Sequence, residues 1–176
     1  MTHYKKVVVP ALEKEFGYTN AHAVPRIEKI VLTVGLSAKN KDQKLAESVE
    51  ESLRRITGQR PIKTLAKKSL SNFKIRKGMT VGMQVTLRGQ RMFDFLEKFI
   101  HLTLPRVRDF RGLAKATVDA RGNLSVGFRE HVAFPEISPD EIERVHGLGV
   151  TIVTTAKTRK EGTSLLQQLG FPFATS

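Results

Sequence analysis

Apolar side chains recur along this chain at two spacings, and each spacing predicts a different kind of element. Tyr4, Val8, Leu12 and Phe16 fall every fourth residue, which lines them up on one side of a helix. Pro10 must kink that helix or mark its first turn, because it has no N–H to donate. After Pro25 the spacing changes to two. Over 26–36, Glu28, Ile30, Leu32 and Val34 fall on one face and Ile27, Lys29, Val31 and Thr33 on the other, as in a strand. Helical spacing returns over 43–57 with Leu45, Val49, Leu53 and Ile56, and Gly58 supplies the stop. A short strand is predicted over 61–65, with Pro61 at its first position or on an edge. Over 80–88 the alternation is clearest. Val81, Met83, Val85 and Leu87 face one way, and Gly82, Gln84, Thr86 and Arg88 the other. A helix over 90–104 presents Phe93, Leu96, Phe99 and Ile100. Strands at 116–119 and 124–128 flank Arg121-Gly122-Asn123, a hairpin signal. Ser138, Pro139 and Glu141 combine as cap, first-turn proline and third-position acid to open a helix that ends at Gly147. A strand over 150–156 and a last helix opened by Thr158 and Glu161 complete the chain.

The predicted order is helix, β-α-β-β-α-β-β-α-β, helix. Strands follow one another too often for a doubly wound parallel sheet. The pattern predicts a single α+β domain over 1–176, with a mainly antiparallel sheet, helices on one face and the other face open. A basic loop at about 66–80 is too long for a plain connection and is expected to protrude and to be functional.

Charge narrows the reading. The chain carries a formal +13 and has a pI near 10.3. Residues 52–93 hold eleven Lys or Arg and no Asp or Glu. Cations packed so densely repel one another unless an anion sits among them, and cations that meet phosphates release condensed counterions. The tract is interleaved with Ile62, Leu65, Leu70, Phe73, Ile75, Val81, Val85 and Leu87, a composition unlike a disordered basic arm. Nucleic acid fits better than an anionic membrane surface.

The predicted open face gathers Lys29, Thr33, Lys63, Gln84, Thr86 and Arg88. Hydroxyls and amides donate to phosphate and ribose oxygens, and the cations supply charge. With no aromatic on this face, the expected partner is helical or structured RNA met through backbone and shape, rather than unstacked bases. An ordinary solvated face is the plain alternative. In the loop, Lys74, Arg76, Lys77 and Gly78 let charge and backbone approach RNA, while Phe73, Ile75 and Met79 anchor the loop or pack on a sugar. The segment 105–112 offers Arg106, Arg108 and Arg111 around Asp109, either an RNA contact or an Arg–Asp structural knot.

Catalytic readings are poor. There is no Cys, which excludes disulfides, thiolate metal sites and cysteine nucleophiles and suits the reducing cytosol. His3, His22, His101, His131 and His146 share no metal-ligand spacing, and no nucleophile-elbow, metalloprotease, P-loop or dinucleotide fingerprint occurs. No cofactor, metal or catalytic residue is expected. A free RNA chaperone using the same face is the alternative to a structural RNA-binding protein.

Several long strings carry a resemblance. PRIEKIVLTVG, ITGQRPIKTLAKKSLSNFKIRKGM, VTLRG, LPRVRDFRGL, GNLSVGFREHVAFPEI and TTAKTRKEG followed by GFPF occur in this order. They closely resemble the bacterial form of large-subunit ribosomal protein five, a 5S-rRNA-binding family. The resemblance implies a ribosome-bound, cytoplasmic protein of the central protuberance that is not an enzyme. Its implied partners are 5S rRNA, large-subunit rRNA, P-site tRNA and neighbouring ribosomal proteins, including one of the small-subunit head. It carries 5S contacts onto Thr33, Gln59 and Thr86, with Lys63 nearby. Contacts of the loop with tRNA and rRNA fall on Asn72, Lys74, Arg76, Lys77, Gly78 and Met79. Many bacterial relatives have Asn where this chain has Thr33, so a hydroxyl here replaces an amide.

Overall fold

A computed structural model describes residues 4–36, 43–138 and 145–174. Within them run α1 (Val9–Phe16), β1 (Ile27–Gly35), α2 (Gln43–Thr57), β2 (Ile62–Leu65), β3 (Thr80–Leu87), α3 (Gly89–Lys98), β4 (Leu124–Phe128), β5 (Leu148–Thr154) and α4 (Arg159–Gln168). The strands form one five-stranded sheet in the order β2-β3-β1-β5-β4. β2 and β3 pair antiparallel. Elsewhere the contacts also run in opposite senses. Leu36 N–H donates to the Val81 carbonyl while Arg88 reaches Glu28, and Thr155 N–H donates to the Arg26 carbonyl while Gly149 lies beside Thr33. This is the α+β, antiparallel architecture that the consecutive strands predict.

The chain divides into two compact units, 1–30 with 87–126 and 151–176, and 31–86 with 127–150. In the first, α1 and α4 share a cluster of Val8, Leu12, Val24 and Leu165, with Tyr4, Phe16 and Leu169 packed against it. The helical spacing of the N-terminal segment is thus realised, but as a π turn over Tyr4–Val8 leading into α1, with Pro10 in the first turn. Tyr4 donates to the Pro25 carbonyl at 3.1 Å, and Ser164 donates to the Glu15 carboxylate. The helix expected over 90–104 is α3 followed by a π turn and a 3-10 turn that carry it to Arg106. The expected opening of the last helix is realised at the start of α4: Thr158 Oγ1 accepts from Glu161 N–H, and Glu161 reaches back to Lys157 N–H at 2.8 Å.

The strand expected over 116–119 is reduced to one bridge, Val118 to Leu124. A 3-10 turn over Lys115–Thr117 is the cause: the N–H groups of Thr117 and Val118 turn back to the Ala114 and Lys115 carbonyls at 3.0 and 3.3 Å, so no ladder extends past Val118. On the other side of the bridge, Asp119 Oδ1 accepts the N–H of Arg121 and of Asn123, both at 2.8 Å, and caps the turn. The Asn123 amide also bonds Oδ2 and, with those backbone donors, holds the carboxyl below its ordinary value. The helix expected over 138–147 falls mostly on residues outside those described.

In the second unit, α2 buries Leu45, Val49, Leu53 and Ile56, the stripe its spacing predicts. Gly58 ends it in the left-handed region, with its N–H on the Arg54 carbonyl at 2.8 Å. Burial alternates along β3: Met83, Val85 and Leu87 are enclosed while Gln84 and Thr86 are half-buried. β1 alternates likewise from Ile30 onward, with Val34 enclosed and Thr33 exposed. At its start the expected order is reversed, since Ile27 is buried and Glu28 exposed.

Candidate nucleic-acid interface

In the second unit the open side of the sheet carries Thr33 on β1 and Gln84 and Thr86 on β3. Gln84 Nε2 donates to Thr86 Oγ1 at 3.5 Å, so an amide and a hydroxyl sit as neighbours on one strand. Two glycines let neighbouring strands approach closely. Gly82 is buried, and a methyl group there would lie 2.6 Å from the Val34 carbonyl oxygen and 3.0 Å from Thr64 Oγ1. One at Gly149 would lie 3.0 Å from Thr33 Oγ1. The face offers hydroxyls and an amide, with no aromatic among its described residues. Gln59 is half-buried where α2 leads to β2, beside the Thr57 hydroxyl that accepts its N–H at 3.2 Å.

Lys63 departs from the expected arrangement. It pairs with Met83, while Ile62 pairs with Gln84 and Thr64 with Gly82. Directly paired residues on antiparallel strands share a face. Lys63 therefore belongs to the covered side, with its side chain exposed at the sheet edge that β2 forms, and Ile62 and Thr64 take its place on the open side. The sequence pattern could not give this parity. A four-residue edge strand has too few positions to show an alternation of its own, and β3 sets its register.

The other two face residues lie in the first unit. Lys29 is half-buried on β1, and Arg88, exposed just past β3, reaches Glu28 at 3.5 Å.

Ion pairs redistribute the charge of 52–93. Arg54 and Arg55 lie 3.7 and 3.2 Å from Glu51, and Arg60 lies 3.2 Å from Glu50, so the preceding acids partly offset the arginines around the end of α2. Lys63, Lys67, Lys68, Lys74, Arg76 and Lys77 are exposed and meet no acidic side chain among the described residues. The uncompensated charge is concentrated over 63–77, at the sheet edge and on the loop.

That loop has a backbone framework of its own. At its base Ala66 N–H donates to the Met79 carbonyl at 2.8 Å and Gly78 N–H to the Ala66 carbonyl at 2.9 Å. Leu70 and Ile75 exchange both backbone bonds at 2.9 and 3.1 Å. Between them Ser71–Phe73 forms a 3-10 turn, closed by Lys74 in the left-handed region. Lys77 N–H bonds Ser69 Oγ at 3.0 Å, and Arg76 N–H meets Met79 Sδ at 3.2 Å. Asn72, Lys74, Arg76, Lys77 and Gly78 are all exposed, while Met79 and Ile75 are half-buried. Phe73 is no anchor: it is 68% exposed.

In the first unit, Asp109 makes no ion pair with Arg106, Arg108 or Arg111, which are exposed. The segment is tied down through backbone instead. Leu113 N–H donates to the Pro172 carbonyl at 2.7 Å and Ala174 N–H to the Leu113 carbonyl at 2.9 Å.

The fold brings two histidines together that their spacing does not. His131 and His146 stack with ring centres 3.8 Å apart, and His146 N–H donates to His131 Nδ1 at 3.3 Å. Burial pushes the His131 imidazole below its ordinary value. No group of three or more metal-ligating side chains occurs among the described residues.

These elements define a basic protein on an antiparallel α+β scaffold, with a polar sheet face and a cationic loop. Its family is defined by comparison with known proteins. Residues 20–76 match the family model described as ribosomal protein L5, and residues 80–173 match the model of that ribosomal family's C-terminus. Large ribosomal subunit protein uL5 of Thermotoga sp. (strain RQ2) is 54% identical over 170 residues, covering 97% of this chain and 92% of that protein. The protein of that name from Synechococcus sp. (strain JA-2-3B'a(2-13)) is 52% identical over 171 residues, 97% of this chain and 95% of the relative. That from Symbiobacterium thermophilum is 51% identical over 173 residues, 98% and 96% respectively. The chain belongs to the L5 family of large-subunit ribosomal proteins, which are structural constituents of the ribosome rather than enzymes.

Proposed function

We propose that this protein binds 5S rRNA through the open sheet face of its second unit and meets P-site tRNA and nearby large-subunit rRNA through the loop 66–79. The observation that carries the first part is the face of Thr33, Gln84 and Thr86, which pairs hydroxyls with an amide and holds no aromatic. A surface with hydroxyl and amide donors and no stacking ring suits the sugar–phosphate backbone of a helix, which is read by shape. Gln59 adds an amide near this face, and Thr64 a second hydroxyl. Lys63 supplies charge from the edge rather than from the face. Lys29 and Arg88 of the first unit are proposed as further phosphate contacts. For the loop, support comes from Lys74, Arg76 and Lys77, which are exposed without acidic partners among the described residues, and from Gly78, which leaves backbone accessible. Asn72 and Met79 complete the proposed contacts. On this reading the protein works in the cytoplasm as part of the large subunit, beside other ribosomal proteins that include one of the small-subunit head.

Footprinting of 5S rRNA with the purified protein tests the reading. A bounded protected region that Thr86→Ala weakens is expected. Equal affinity for an unrelated RNA of the same length would refute it.

A further inference from the structure

The chain has ten Phe, two Tyr and no Trp. Eleven of these twelve rings are buried or half-buried, and only Phe73 is exposed. No ring and no cation lies against it among the described residues. We propose that Phe73 is a stacking platform for one unpaired RNA base. The inference rests on the reading that the loop 66–79 meets RNA, and it specifies what kind of RNA the loop takes.

Three features support it. First, the ring is held out by a closed framework. Phe73 ends the Ser71–Phe73 turn, Lys74 N–H returns to the Ser71 carbonyl at 3.0 Å, and the Leu70–Ile75 pair closes the turn from below. A turn whose backbone is closed before binding loses less freedom when its ring stacks. Second, charge surrounds the ring in sequence: Lys67 and Lys68 precede it, and Lys74, Arg76 and Lys77 follow. A splayed nucleotide brings one flat apolar base with a phosphate on each side, which matches one ring between cations. Third, the sheet face carries no aromatic, so a base turned out of its helix meets a ring on the loop and not there. The two surfaces differ in what they can recognise: one takes a helical backbone, the other a base outside a helix.

Phe73→Trp places the only indole of the chain at the proposed platform. The variant is saturated with 5S rRNA, then titrated with a tRNA transcript and with a fully paired RNA duplex of the same length. Stacking on an unpaired base quenches the indole, so the tRNA should quench it and the duplex should not. Phe73→Leu keeps the apolar bulk and loses the aromatic face, and it should weaken tRNA binding about tenfold, as loss of one base–aromatic stack does. Phe73→Trp should bind as the parent does. The double variant Arg76→Ala with Lys77→Ala should weaken binding of both RNAs. If the indole stays bright and Phe73→Leu binds tRNA as the parent does while the double variant is impaired, the stack is wrong and the RNA contact of the loop stands. If the double variant also binds as the parent does, the reading of the loop itself fails. Quenching by poly-glutamate but not by tRNA would make this an acidic-protein site and overturn the proposal.

Discussion

The open sheet face and the loop 66–79 belong to the same compact unit but meet solvent differently. On the face, Thr86 and Gln84 are half-buried on a strand whose alternate residues, Met83, Val85 and Leu87, are enclosed. Each polar group is therefore positioned by a neighbour that folding has already fixed. On the loop every charged side chain is exposed, and the backbone bonds that shape it are mostly its own. A surface borrowed from the core can hold hydroxyls in place for shape recognition but has little reach. A self-closed loop can carry charge and an aromatic outward, at some distance from the scaffold that supports it. The difference accounts for one compact unit carrying the two unlike surfaces proposed to meet RNA.

Charge should produce the largest effect on which the two surfaces can be compared. If about five phosphates are neutralised on 5S rRNA, log K falls against log salt with a slope near −4, and raising salt from about 50 to about 200 mM costs roughly 250-fold in affinity. Filter binding across that range measures it. A slope near zero would mean that the cations proposed beside the sheet face, Lys29, Lys63 and Arg88, do not meet 5S phosphates. Next in size is a contrast within β3. Val85 is 3% exposed, so Val85→Ala should lower stability by about 2 kcal/mol through a cavity and lost burial. Thr86→Ala, one residue away on the other face, should barely change stability and should weaken 5S binding by about 1 kcal/mol. Gln59→Ala should behave as Thr86→Ala does. Melting curves alongside 5S titrations separate the two effects. If Thr86→Ala melts as early as Val85→Ala, the faces of β3 are reversed.

How much of this was legible without coordinates depends on how many positions each element has in which to repeat its pattern. β3 and α2 are long enough for their own spacing to define an inside, and Val85, Thr86, Leu53 and Ile56 fall where that spacing puts them. β2 is too short, so for Lys63 the polar side chain alone points to the open face, whereas the pairing with Met83 puts it on the covered one. The turn at 119–123 misled for another reason. Its hairpin signal is real, but the 3-10 turn over Lys115–Thr117 turns the N–H groups of Thr117 and Val118 away from the ladder, and a local turn of that kind leaves no periodicity. The sequence leaves Phe73 either an anchor of the loop or a group that packs on a sugar, and exposure removes only the first. Here the 3-10 turn ahead of Lys74 carries the ring outward, a backbone choice that its side-chain type does not reveal. The candidate site was legible in kind, as a polar face and a basic loop. Its details required registers and turns.

The smallest expected effects test whether the two surfaces are independent. The backbone bonds of the loop open without unfolding the sheet, so the loop should be the first part of the free protein that a protease reaches. Limited trypsin digestion should cut first at Lys74, Arg76 or Lys77. First cuts elsewhere, with the loop protected, would make it a packed element and undo the comparison. Replacing Arg76 and Lys77 together with Ala should then leave 5S affinity within about 1 kcal/mol of the parent, because an exposed charge is screened beyond ~8–10 Å at physiological salt. The same double change should weaken retention of P-site tRNA on assembled ribosomes, since there the two cations are proposed to meet phosphate directly. The ratio of the two effects carries the argument. A loss in 5S binding as large as the loss in tRNA retention would mean that the loop and the face share one RNA, and that the outward reach of the loop serves to clamp the same helix the sheet already holds.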